Sequence, residues 1–206
     1  FIIGNLKDWD SSERVEHNEL PELERFIRHR LYTLNKKIIS SYKNYNFHQA
    51  LKEISNFCNQ DLSTIFFDIR KDCLYCESKD SSSRKAVRTV LVDVFYNLVS
   101  WLSPLLPFTT EEAWQCWRKE IIQEDTISCH LMSFFEPHQL WNDLKLENNW
   151  KIINDIRHTV SHCIEKMRED KIIKSSLEAK VSICAEEEKY RFVLKKINLE
   201  EVLISS

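Results

Sequence analysis

A single glycine, Gly4, serves the whole chain of 206 residues. Tight hairpins, phosphate-cradling loops and dinucleotide-binding turns need glycine where φ is positive or where a backbone must come close. With one glycine near the start, those architectures are nearly excluded. Long helices tolerate such a composition best. With 43% hydrophobic residues, the chain can bury one sizeable core, or a larger domain with a small appendage. It contains no run of about 18 apolar residues of the kind that spans a bilayer. It opens with FIIGN rather than with Met and a basic segment, which reads as an excised fragment and not a secreted precursor.

Apolar spacing divides the chain. Leu20, Leu23, Ile27, Leu31, Leu34, Ile38 and Tyr45 recur at helical steps, with a gap at Ser41 and Tyr42. Pro21 suits the first turn, and Glu22 and Glu24 suit the positive end of the dipole. Asn46 punctuates and, with Gln49, resembles a capping box. A second helix is expected from about 47 to the low 70s, burying Phe47, Leu51, Ile54, Phe57, Leu62, Ile65, Phe66 and Ile69. After the polar Ser81–Ser83, a third carries Val87, Val90, Leu91, Val94, Leu98 and Trp101. It is apolar on several faces, so it should lie centrally. Thr109 and Glu112 predict the next helix start, with Phe108 stapled onto Ala113. "TISCHLMSFFEP" reads as a connector, and a fifth helix is expected from about Trp141. "SSLEAKVSICA" alternates as a half-buried strand, "EEEKYRFVLKKI" as a short helix and "EEVLISS" as a second strand. The expected fold is mainly α: an antiparallel helix bundle over 1–125, then a connector, a long helix and a small α+β subdomain over 126–206.

Few residues offer chemistry. Seven cysteines, an odd number at irregular spacing, fit a reducing compartment better than a disulfide framework. Cys73 and Cys76 form a C-x-x-C with no second pair, so neither a structural zinc site nor a redox site is expected there. No catalytic constellation is apparent, and neither a metal nor a cofactor is expected in this stretch. The net charge of −3 requires any nucleic-acid surface to be local. One stretch qualifies. Residues 21–48 hold Arg25, Arg28, Arg30, Lys36, Lys37 and Lys43 against Glu22 and Glu24, with Tyr32, Tyr42, Tyr45 and His48 among them. The next helix adds Arg70, Lys71 and Tyr75. Lysine and arginine neutralise phosphates, and aromatic rings stack on unpaired bases. The candidates for contact are Arg28, Arg30, Lys36, Lys37, Arg70 and Lys71, with Tyr42, Tyr45 and Tyr75 for stacking. Arg28 and Arg30 point about 160° apart on a helix, so they cannot serve one surface. The competing reading is a set of solvated helix faces on a protein-interaction scaffold.

Five stretches, in order, carry a family resemblance: "GNLKDWD", "LPELERFIRHRL", "YKNYNFHQALKEISNFCNQDLSTIFFDIRKDCLYC", "WLSPLLPFTTEEAW" and "SSLEAKVSI". Together they resemble the isoleucyl-tRNA synthetases of bacterial or organellar type, in class Ia. The resemblance implies the helical anticodon-binding domain with the junction subdomain that follows it. The implied partners are the anticodon stem-loop of tRNA(Ile) and the remainder of the synthetase chain, with no membrane, in a monomer of the cytoplasm or an organellar matrix. ATP, Mg and Zn are implied for the parent enzyme. Its HIGH and KMSKS motifs belong before Phe1 and its zinc-binding cysteines after Ser206, and its editing domain is missing here. The family's R-x-x-K-R-I-G-S-S-L-E-A is matched by Arg168, Lys171, Ser175, Ser176, Leu177, Glu178 and Ala179. Ile172 and Lys174 replace its usual basic residue and glycine.

Overall fold

A computed structural model describes residues 1–120, 126–175, 178–195 and 198–203. The chain divides into two compact units, Phe1–Asp143 and Leu144–Ser206.

In the first unit a short α1 (Ile2–Asn5) and two single 3₁₀ turns lead into α2 (Glu22–Lys43). A continuous rod follows: α3 (Phe47–Asn56), a π-helical stretch Phe57–Phe67, and α4 (Asp68–Cys76). Then come α5 (Ser82–Leu102) and α6 (Pro107–Glu120). Side-chain pairings fix the directions. Glu24 meets Arg70, Arg30 meets Asp61 and Tyr42 meets Phe47, so α2 and the rod run antiparallel. Arg28 meets Asp93 and Asn35 meets Trp101, so α2 and α5 run parallel. Trp117 stacks on Phe95 while Trp114 meets Tyr96, so α6 turns back along α5. The result is the expected up-down-up-down bundle.

The apolar residues of α2 line its inner face: Leu23, Phe26, Ile27, Leu31, Leu34 and Ile38 are all buried. Each such side chain contributes roughly 1.5–3 kcal/mol on burial. α5 is buried nearly all round, as its sequence predicts, and it carries polar groups into the core. Asp93, 2% exposed, accepts from Arg14 at 2.6 Å and from Arg28 Nε at 2.8 Å. Trp101 Nε1 donates to Asn35 Oδ1 at 2.8 Å. Thr89 Oγ1 accepts from the Val15 amide, and Arg88 pairs with Glu13 at 3.0 Å. The segment before α2 is thus tied down by side chains on α5.

Several details differ from the sequence reading. α6 begins at Pro107, whose fixed φ and missing N–H suit a first helical position. Thr109 therefore lies inside the helix, and Phe108, 89% exposed, staples nothing. Residues 126–143 belong to the first unit instead of following it. Thr126 and Ile127 carbonyls accept from Trp114 and Gln115, Phe135 stacks on Tyr96, and the Asp143 amide donates to His29. Trp141 ends a 3₁₀ turn with Arg28 over its ring, and the fifth long helix starts three residues on, at Leu144.

In the second unit, α7 (Leu144–Glu169) buries Leu146, Trp150, Ile153 and Ile164. It ends in a left-handed corner at Lys171, φ 58°, where the Ile172 amide donates to the Met167 carbonyl. The Lys174 amide donates to Glu178, so this turn closes without the family's glycine. Ser176 and Leu177 lie outside the described residues. α8 (Glu188–Leu194) is the expected short helix. The strands are not found: among the described residues no strand occurs. Ala179 is buried and Val181 and Ile183 half-buried between exposed Lys180, Ser182 and Cys184. The alternation is real, but a strand also needs a hydrogen-bonding neighbour. The expected neighbour, over 200–206, is helical in its described part as α9 (Leu199–Leu203), and 204–206 lie outside the described residues. Leu199, Val202 and Leu203 sit three and four apart, and Asn198 Oδ1 accepts from the Glu201 amide at 3.5 Å, as a helix cap does.

Replacing Asp93 with Ala should strand Arg28 in the core and lower stability by about 3–5 kcal/mol in urea unfolding. The exposed Lys71–Asp68 pair is a control: Lys71→Ala should cost no more than about 0.5 kcal/mol.

Candidate nucleic-acid interface

The nine sequence candidates fall into three groups. The arginines face carboxylates. Arg28, 3% exposed, sits on Asp93. Arg70, 8% exposed, holds Glu24 through two bonds of 2.6 and 3.0 Å. Arg30 forms a fork on Asp61, both bonds 3.1 Å. These planar cations fasten α2 to the rod and to α5. Tyr42 also faces inward: its hydroxyl donates to the Trp101 carbonyl and its ring lies 5.6 Å from Phe134.

The second group lies at the corner between α2 and α3. Lys36 and Lys37 are exposed, and Lys36 Nζ donates to the Tyr32 hydroxyl at 2.6 Å. They line a shallow groove with Ser40, Ser41, Gln49 and Glu53. In the turn between the two helices stands Tyr45, 82% exposed with φ 56°. The Asn46 amide donates to the Ser41 carbonyl at 2.8 Å and the Tyr45 amide to the Tyr42 carbonyl at 3.0 Å. This is a Schellman ending, in which glycine usually takes the left-handed position. Asn46 then caps α3, its Oδ1 accepting from the Gln49 amide. The chain turns with no glycine, and the corner presents a bulky ring at a strained position. Such strain gathers at functional sites. Phe47 and Leu51, each 44% exposed, and the exposed Lys43, His48 and Lys52 complete the corner. Periodicity had placed Tyr45, Phe47 and Leu51 on buried faces. The signal that relocates them is the Asn46 cap: helix ends expose residues that lie in phase with the core.

The third group is at the other end of the rod. Lys71 pairs with Asp68 at 2.9 Å, and Tyr75 is 66% exposed, its ring edge-on to Phe1. Tyr45 and Tyr75 lie about 40 Å apart along a rod that rises about 1.5 Å per residue. A single nucleic-acid loop cannot reach both. The corner, with more cations and a more exposed ring, is the stronger site.

The C-x-x-C lies at the end of α4. Cys76 is exposed, while the half-buried Cys73 thiol is pushed up to about 11 by burial and by the charge of Glu77. A thiol held protonated is a poor nucleophile.

The chain belongs to the family of anticodon-binding domains of tRNA ligases, whose pattern matches residues 24–183. Within that class it is similar to isoleucine–tRNA ligases. It is 38% identical over its whole length to the one of Pelagibacter ubique, 37% to that of Gluconobacter oxydans and 35% to that of Carboxydothermus hydrogenoformans. The match covers 22%, 21% and 22% of those proteins, so the chain spans about a fifth of the length of these relatives.

Two measurements check this geometry. Tyr45→Gly should raise stability by up to about 1 kcal/mol, against the usual sense of a glycine substitution, because it relieves a left-handed side chain. Iodoacetamide followed by mass spectrometry should modify Cys76 before Cys73.

Proposed function

We propose that this chain is the anticodon-recognition module of an isoleucine–tRNA ligase and that the α2–α3 corner receives the anticodon stem-loop of tRNA(Ile). The exposed Tyr45 in its strained turn carries this reading. Lys36 and Lys37 neutralise backbone phosphates, with Lys43 and Lys52 beside them, and Tyr45 stacks on a loop base. Lys71 and Tyr75 stand apart from that contact. Arg28, Arg30, Arg70 and Tyr42 act indirectly, by holding the helices that carry the corner. The parent enzyme activates isoleucine with ATP and Mg²⁺ and transfers it to tRNA(Ile). Those ligands, and the zinc of the family, fall to the remainder of the parent chain. It works as a monomer in the cytoplasm or an organellar matrix.

Filter binding of tRNA(Ile) and a non-cognate tRNA at two salt concentrations tests the proposal. Replacing Lys36 and Lys37 with Ala should weaken binding to both tRNAs and flatten the salt slope by about 1–2 units. Tyr45→Ala should cost roughly 1–3 kcal/mol with little change in slope. Arg30→Ala should act mainly through stability. Unchanged affinity and slope in the folded double lysine variant would remove the corner from the interface.

A further inference from the structure

Glu111 on α6 meets Cys129 and His130, on the 3₁₀ turn Cys129–Leu131, within the first unit. One ligand atom from each lies within 4.8 Å of the other two. Glu111 and Cys129 are 18 residues apart, a spacing no metal motif would flag. We propose that these three residues bind a divalent zinc ion that fastens the turn to α6. This goes beyond tRNA recognition and does not depend on it.

The donor set selects the metal class. A thiolate, an imidazole and one carboxylate suit zinc, whereas magnesium and calcium take oxygen ligands. Zinc bonds of about 2.0–2.3 Å at tetrahedral angles put ligand atoms roughly 3.3–3.7 Å apart. His130 Nε2 and Glu111 Oε2 are already 4.0 Å apart, so side-chain adjustments of about 1 Å close the site. Water completes the fourth position. A cleft lined by Ser100, Ser103, Pro104, His130 and Met132 opens beside it and gives that water access.

The surroundings support the donors. Glu111 Oε2 accepts from Ser128 Oγ at 2.8 Å and from the Cys129 amide at 3.0 Å, and Oε1 accepts from Gln115 at 2.7 Å. The carboxylate is therefore oriented before metal arrives. His130 Nδ1 lies 2.9 Å from Ser103 Oγ, and Nε2 lies 3.2 Å from the Pro107 carbonyl. Without metal, Nε2–H donates to Pro107. With metal, the Cys129 thiol releases its proton to water, the imidazole proton resides on Nδ1 and donates to Ser103, and the Nε2 lone pair turns to zinc. The Ser103 hydroxyl is 3.7 Å from Cys129 Sγ and can then donate to the thiolate. Thr110 Oγ1 stands 3.8 Å from the same sulfur. Such outer partners of a ligating histidine fix its tautomer and typically change metal affinity 10–100-fold when removed.

The test uses the 206-residue chain. After equilibration with zinc and removal of the excess, elemental analysis should find one zinc per chain, and cobalt substitution should give the near-ultraviolet band of a thiolate ligand. Cys129→Ser should abolish the band, and Glu111→Gln should weaken binding at least about tenfold. Ser103→Ala, which touches no metal, should weaken it about tenfold. A Cys73→Ser, Cys76→Ser double variant should bind as the parent chain does. Should Cys129→Ser fail to fold, the unmodified sequence still decides: zinc should slow alkylation of Cys129 and leave Cys76 unaffected. Less than about 0.1 zinc per chain, a cobalt–thiolate band that survives loss of Cys129, or no protection of Cys129 would overturn the site.

Discussion

The Asp93 carboxylate, buried on the central helix, is the contact on which the first unit turns. It draws two guanidinium groups from separate segments, Arg14 before α2 and Arg28 within it. Removing two or three charges from water is costly, and such a cluster is stable only when its hydrogen bonds are complete. Their completion here fixes the register of α2 against α5 and pins a segment built of short helical turns. Arg70 on Glu24 and Arg30 on Asp61 repeat the device along the rod. Apolar packing alone would let these helices slide by a turn at modest cost, whereas each buried ion pair fits one register only. We regard these pairs as setting alignment more than adding net stability.

The same contacts explain what the sequence could and could not reveal. Helical periodicity is local, so the long helices, the central place of α5 and the cap at Asn46 were legible. The partner of an arginine is not local. Asp93 is 65 residues from Arg28 and Glu24 is 46 from Arg70. A row of basic residues therefore read as a surface patch when half of it faced the core. The π-helical Phe57–Phe67 was equally silent, since its apolar residues fit a broad α-helical face. Its wider turns are consistent with Asp61 meeting Arg30 while Phe57, Leu62 and Phe66 stay buried. The C-terminal strands failed for a related reason: alternation reports which side chains are buried, not whether a neighbouring strand exists.

Glycine scarcity has its own consequence. Helical corners still need left-handed residues, and the chain places Asp8, Tyr45 and Lys171 there. Each carries strain that glycine would avoid. After Lys171 the turn replaces the family's glycine-bearing pattern with a hydrogen bond from the Lys174 amide to the Glu178 carboxylate. At Tyr45 the ring meets Phe47 edge-on, 6.2 Å between centroids, and is otherwise held out into solvent. That exposed ring on a left-handed residue is the observation on which the proposed contact rests.

Arginine and lysine divide the work. Arg14, Arg28, Arg30, Arg70 and Arg88 all engage carboxylates of the first unit, where their planar forks match carboxylate geometry. Lys36, Lys37, Lys43 and Lys52 stay in water at the corner. The partition lets a chain of net charge −3 keep a locally positive rim without placing mobile cations in its core. It also limits what that rim can do. In the proposed contact, a few solvated lysines supply a part that weakens steeply with salt, while the tyrosine adds a salt-insensitive part. On the proposed reading, selectivity comes from the shape of the corner and the base that reaches Tyr45. Phosphate attraction acts alike on every tRNA, so in the proposed contact the arginine pairs that hold α2 against the rod bear on selectivity without meeting the RNA.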